Sequence, residues 1–153
     1  MTSLSYEEIF SYFLGSVTDY DIAKLDMSSA YQLMAEYLHK ALAKTYCRRL
    51  FSSISLDDEV QTISFEMASV VDDEADLEFV KNILSKSMVI EWLEPQVRSK
   101  VNVAQFFGAK EQKMFSQATH LSELRGLLAD TENEVRKLIR DRGYVYNSYL
   151  EES

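Results

Sequence analysis

At 153 residues the chain is sized for one domain of ordinary dimensions and leaves little room for a second with its own core, which excludes most multidomain enzymes. Apolar residues at 46% and charged residues at 27% are enough to build a core, so a disordered or low-complexity chain is excluded as well. Sixteen Lys and Arg against 25 Asp and Glu give a net charge of −9. Sequence-specific nucleic acid is therefore not expected as a partner, because affinity for a phosphate backbone comes from basic side chains that displace counterions.

Four glycines and one proline disfavour a turn-rich all-β fold and favour long helices. One cysteine, Cys47, has no partner for an intrachain disulfide, which fits a reducing compartment. No apolar run reaches the length of a membrane span, and MTSLSYEEIFSYFLG carries two glutamates where a secretion signal would carry Lys or Arg. Neither a membrane partner nor secretion is expected.

In chain order, Ile9, Phe10, Phe13 and Val17 share one face at helical spacing behind Ser5 as N-cap, which predicts a helix over about 5–16. Ser28 or Ser29 then caps a second helix on which Leu33, Met34, Tyr37, Leu38, Ala41 and Leu42 repeat at three and four, ending near Cys47 beside Arg48 and Arg49. From Phe51 to Val71 the pattern alternates: Ile63, Phe65 and Met67 face one way, and Thr62, Ser64 and Glu66 the other. A lone strand is not stable by itself, so this segment lies on the helices or pairs with another strand, which another subunit could supply.

Residues 73–94 read as the central helix, apolar around most of its second half through Ile83, Leu84, Met88, Val89, Ile90, Trp92 and Leu93. Pro95 is expected to stop or kink it, with a short helical continuation to Gly108. Residues 108–120 lack periodicity and predict an irregular loop, long enough to be a functional arm. A last helix over about 119–142 carries the narrow seam Leu121, Leu124, Leu128, Val135 and Leu138 and ends at Gly143, placed as a C′ glycine.

These readings predict an all-α fold: a small bundle of four to five helices with one short extended segment at about 60–68 and a C-terminal tail. They divide the chain into a single helical domain at 1–142 and a tail at 143–153. Phe13, Leu38, Leu84, Trp92, Leu124 and Leu138 sit mid-stripe and are the expected core. Residues 1–94 carry 7 basic and 17 acidic side chains, and 95–153 carry 9 and 8. Opposite ends of this kind are either solvated surface or suited to identical subunits meeting head to tail in a ring.

Chemistry-bearing patterns are sparse. His39 and His120 stand apart without ligands at metal spacing, the acid pairs Asp57/Asp58 and Asp72/Asp73 lack the ligand spacing and turn glycine of a calcium loop, and no phosphate loop, nucleophile elbow or HExxH is present. The expectation is no enzyme, no catalytic residue, no cofactor and no metal. The tail keeps Tyr144, Tyr146, Tyr149 and Leu150 past the glycine, where they either fold back on the bundle or dock in a partner's groove.

Four segments in order, SYEEIFSYFLGSVTDYDIAKLD, AEYLHKALAKTYC, VIEWLEPQV and KMFSQATHLSELRGLL, resemble the head-tail connectors of tailed phages, also called adaptors or head-completion proteins. The weakest match is residues 50–72. The resemblance implies a virion structural protein assembled in the host cytoplasm, forming a ring of neighbouring copies under the portal protein at the head-tail junction and a platform for the next neck or tail component. It makes Tyr144, Tyr146, Tyr149 and Leu150 the expected portal-docking tail. The arm at 101–115 is the expected subunit interface, with Phe106, Phe107, Met114 and Phe115 as apolar contacts and Lys110 and Lys113 facing acids of the adjacent copy. The rival reading is an acidic DNA mimic, a regulatory inhibitor whose 57–78 run imitates phosphates and occupies a host DNA-binding protein.

Overall fold

The computed structural model describes the backbone at 1–17, 24–106 and 111–145 and the side chains at 1–17, 24–98 and 120–142. Strand β1, Thr2–Ser5, runs directly into helix α1, Tyr6–Ser16; helix α2 is Met27–Ala43 and the single turn α3 is Thr45–Arg48. Strands β2, Phe51–Asp57, and β3, Thr62–Met67, form a hairpin, and two long helices close the order: α4, Asp73–Phe106, and α5, Glu111–Val145. The described residues are thus predominantly helical with a three-stranded sheet in the order β1-β3-β2, and the all-α expectation is corrected to that extent.

Each helix start follows from local chemistry. Ser5 caps α1 as expected, its hydroxyl accepting the Glu8 N–H, with Glu7 and Glu8 in the first turn. The cap of α2 is Asp26 rather than Ser28 or Ser29: its carboxylate accepts the Ser29 N–H at 2.9 Å, and hydrogen bonding from the Ser29 side chain, then from that N–H, holds its pKa below the ordinary carboxylate value. A charged acceptor at the positive end of the helix is favoured over a serine hydroxyl.

The expected lone strand pairs twice within its own chain. β3 takes β1 on one side, with Leu4 opposite Ile63, and β2 on the other, with Leu56 opposite Ile63 and Ile54 opposite Phe65. The face carrying Leu4, Phe51, Ile63, Phe65 and Met67 is buried, and the other carries Ser3, Ser55 and Ser64 in one row. A bulge between Phe51 and Ser53 shifts the phase of β2 and hides its alternation from a period-two reading.

Helix α4 packs against α1, α2 and α5, so its apolar circumference is buried on several sides as expected. Pro95 does not end it: the helix continues to Phe106, and beside the missing donor the Gln96 side-chain amide donates to the Trp92 carbonyl at 3.2 Å. The expected loop at 108–120 is also corrected, since α5 already begins at Glu111. α4 and α5 run antiparallel, because Asp76 pairs with Arg142 while Lys86, further along α4, pairs with Glu134, further back along α5. Each is about 50 Å long at about 1.5 Å per residue.

Phe13, Leu38 and Leu84 are fully enclosed, Trp92 and Leu124 are buried, and Leu138 is half-buried against the same cluster. Ring contacts join α1 to α2: Phe10 lies 5.6 Å from Tyr31 and Phe13 lies 6.0 Å from Tyr37, centroid to centroid.

Gly143 does not stop α5, which continues to Val145. The last turn is held from outside. The Arg142 guanidinium donates to the Asp76 carboxylate and to the Ser69 carbonyl, both at 2.6 Å, and lies 4.5 Å over the Phe79 ring.

Candidate functional site

A cleft of about 860 Å³ lies between the first turns of α2 and the β2–β3 turn. Helical spacing brings Met27, Tyr31, Ala35 and His39 down one side, with Gln32 and Glu36 beside them; Tyr6, Asp58 and Gln61 close the other. The turn is fixed from α1: the Tyr6 N–H donates to the Gln61 carbonyl at 2.9 Å and the Tyr6 hydroxyl donates to Asp58 Oδ1 at 2.6 Å. Gln61 itself sits at φ 55, a left-handed conformation that glycine would adopt without strain.

Asp58 joins three elements. Its carboxylate takes the Tyr6 hydroxyl and lies 2.9 and 3.0 Å from Nε2 of His39. Those bonds, the tyrosine's first, keep the carboxyl ionised below its ordinary pKa. Burial, reinforced by the same carboxylate, raises the Tyr6 phenol above its ordinary pKa. The group is therefore a charged acceptor with two donors, which locks the turn against α1 and α2. The cleft beside it offers an apolar ledge of Met27 and Tyr31, neutral amides at Gln32 and Gln61, and a second carboxylate at Glu36. Such a lining suits a polar or cationic segment of a protein and repels phosphate.

A smaller recess of about 300 Å³ lies between Lys44 and Tyr46 on one side, Ile90 and Glu94 of α4, and Glu132, Val135, Arg136 and Ile139 of α5. Close by, the buried Glu91 carboxylate has Lys44 Nζ at 3.7 Å. Cys47 is enclosed, and burial pushes its thiol pKa up to about 12, which makes it a poor nucleophile at neutral pH. His39 faces Asp58, and His120 lies 4.0 Å from Glu123 on its own helix, so both rings are turned to carboxylates rather than to Cys47. Among the described residues no three His, Cys, Asp or Glu side chains converge as a metal site.

The expected interface and docking residues are not brought together by anything described. Phe107, Lys110, Tyr146, Tyr149 and Leu150 lie outside the described residues. Phe106 ends α4, Lys113, Met114 and Phe115 fall in the first turns of α5, and Tyr144 falls in its last turn, with the backbone alone described. Two functional features were not read from the sequence, the Tyr6–Asp58–His39 group and the Arg142 clamp. Asp58 alone gave a signal, as one of a pair of acids in a turn.

No family of known proteins, no curated protein and no solved structure matches the chain. Among the described residues no helix is long and apolar enough to cross a membrane.

Proposed function

We propose that the protein is a structural subunit of the tailed-phage virion, a head-tail connector that assembles as a ring under the portal protein and carries the next neck or tail component. The observation that carries this reading is the run of four segments that resemble such connectors in the same order along most of the chain. A predominantly helical subunit with two antiparallel helices of about 50 Å supports it, because long paired helices supply a ring wall without further domains. In this reading the protein is not an enzyme. The arm at 101–115 contacts neighbouring copies, the tail from Tyr144 to Leu150 enters the portal, and the cleft beside Asp58 receives a polar or cationic protrusion of an adjoining component.

The acids of 57–78 favour this over a DNA mimic. Asp58 is bound by Tyr6 and His39, Asp76 by Arg142, and Glu78 by Tyr12 and Lys81; Asp57 accepts turn amides and Asp72 caps Ala75. Five of the nine acids in this run thus serve as caps or ties within the fold, which a surface built to present charge to a partner does not require.

The test mixes the purified chain with portal rings from the same genome and follows mass by size exclusion with light scattering. Co-elution of several copies per portal is expected. A chain that leaves the portal unbound, yet binds a DNA-binding protein in competition with DNA, overturns the reading.

A further inference from the structure

We propose that the outer edge of β2 is a self-association surface, on which β2 of a second copy of this chain lies antiparallel and joins the two three-stranded sheets into one of six strands. Among the described residues the sheet order leaves β2 with a partner on one side only, and β2 packs chiefly against β3. Natural edges are blunted by lysine, proline or very short strands. FSSISLD has neither residue and is seven long, the longest strand of the sheet; a bulge near its start, the Arg48 guanidinium on the Phe51 carbonyl and the terminal Asp57 guard its ends alone.

Charge decides the occupant. The chain enters β2 from Arg48 and Arg49 and leaves it into Asp57, Asp58 and Glu59. Arg49 and Glu59 are exposed and make no ion pair among the described residues. A strand that is basic at one end and acidic at the other is complementary to itself when reversed. With a two-fold axis at Ile54, the midpoint of β2, the helical turn that carries Arg49 before the strand faces the hairpin turn that carries Glu59 after it in the other copy, so basic end meets acidic end twice. A parallel pair would set like charges together at both ends. The side chains permit the approach: Ser53 and Ser55 are small, and the half-buried Ile54 and Leu56 gain cover from the added strand. This association does not rest on the connector reading, because it uses neither the 101–115 arm nor the tail.

Sedimentation of the full chain over a concentration series tests it, with thermal melting of every variant as the control for folding. The wild type is expected to dimerise, with an affinity that falls as salt rises from about 0.05 to 0.5 M and screens the paired ends. Ser55→Lys places an exposed lysine on the edge, and Arg49→Glu sets acid against acid. Each is expected to raise the dissociation constant by about tenfold or more while leaving the melting temperature unchanged. Combining Arg49→Glu with Glu59→Arg restores the opposition of charges and is expected to recover the dimer. A wild type that stays monomeric, a dimer indifferent to Ser55→Lys, or a double variant no better than Arg49→Glu alone overturns the proposal.

Discussion

Cys47 and Asp58 respond to pH in opposite directions. Burial raises the thiol from 9.0 to about 12, so the unfolded chain releases this proton at lower pH than the folded one. Its contribution is complete below about pH 9 and is lost as pH climbs toward 12, at up to about 1.4 kcal/mol per pH unit. Melting of the wild type should therefore steepen above pH 9 relative to Cys47→Ala, whatever stability the alanine itself removes; parallel curves would contradict the burial of the thiol. Asp58 has the opposite sign: its pKa is depressed when folded, so its contribution is present above its unfolded value near 4 and disappears as acid protonates it. Asp58→Asn should flatten the acid limb of the melting curve. Neither partner of that group was legible beforehand, because Tyr6, His39 and Asp58 are far apart in sequence and only the strand pairing sets them side by side.

Among the elements, those with an unbroken period were legible and those whose ends depend on distant groups were not. The spacing of α1, α2 and the second half of α4 gave their buried faces correctly. β2 was missed because its bulge breaks the alternation, and β1 because four residues, TSLS, hold a single large apolar side chain. Pro95 was read as a stop or kink with a short continuation, and Gly143 as a stop, from local rules alone. Tertiary contacts override both: the helix is enclosed before Pro95, and the Arg142 clamp holds the turn that contains Gly143. That clamp joins the start of α4 to the end of α5 through side chains only 7% and 10% exposed, where an unpaired charge is expensive. Arg142→Met should cost about 3 to 5 kcal/mol by stranding Asp76, and adding Asp76→Asn should return part of it. Chemical denaturation measures both. Equal stability of Arg142→Met and wild type would place the guanidinium in solvent.

At the scale of the whole molecule, the clamp decides where a truncation of the tail can be placed without disturbing the α4–α5 pair. A division after residue 142 would leave the Arg142 guanidinium at a free chain end, where the added carboxylate competes with Asp76 and the last helical turn has no residues to follow it. A division after Val145 keeps Arg142 inside helix α5, which runs at least to that residue. A chain ending at Val145 keeps the clamp, the α4–α5 pairing and every buried residue of the core, and its melting temperature should match that of the intact chain. It keeps Tyr144 and lacks Tyr146, Tyr149 and Leu150, three of the four residues that the resemblance to head-tail connectors makes the expected portal-docking tail. If the docking contacts rest on these side chains, removing them should abolish attachment rather than weaken it slightly. Co-sedimentation with portal rings reads attachment, and melting reads the fold on the same preparation. Full stability with lost attachment is the expected pair of results. Attachment equal to the intact chain would remove the tail from the docking surface, and a large drop in melting temperature would make residues 146–153 part of the folded body instead.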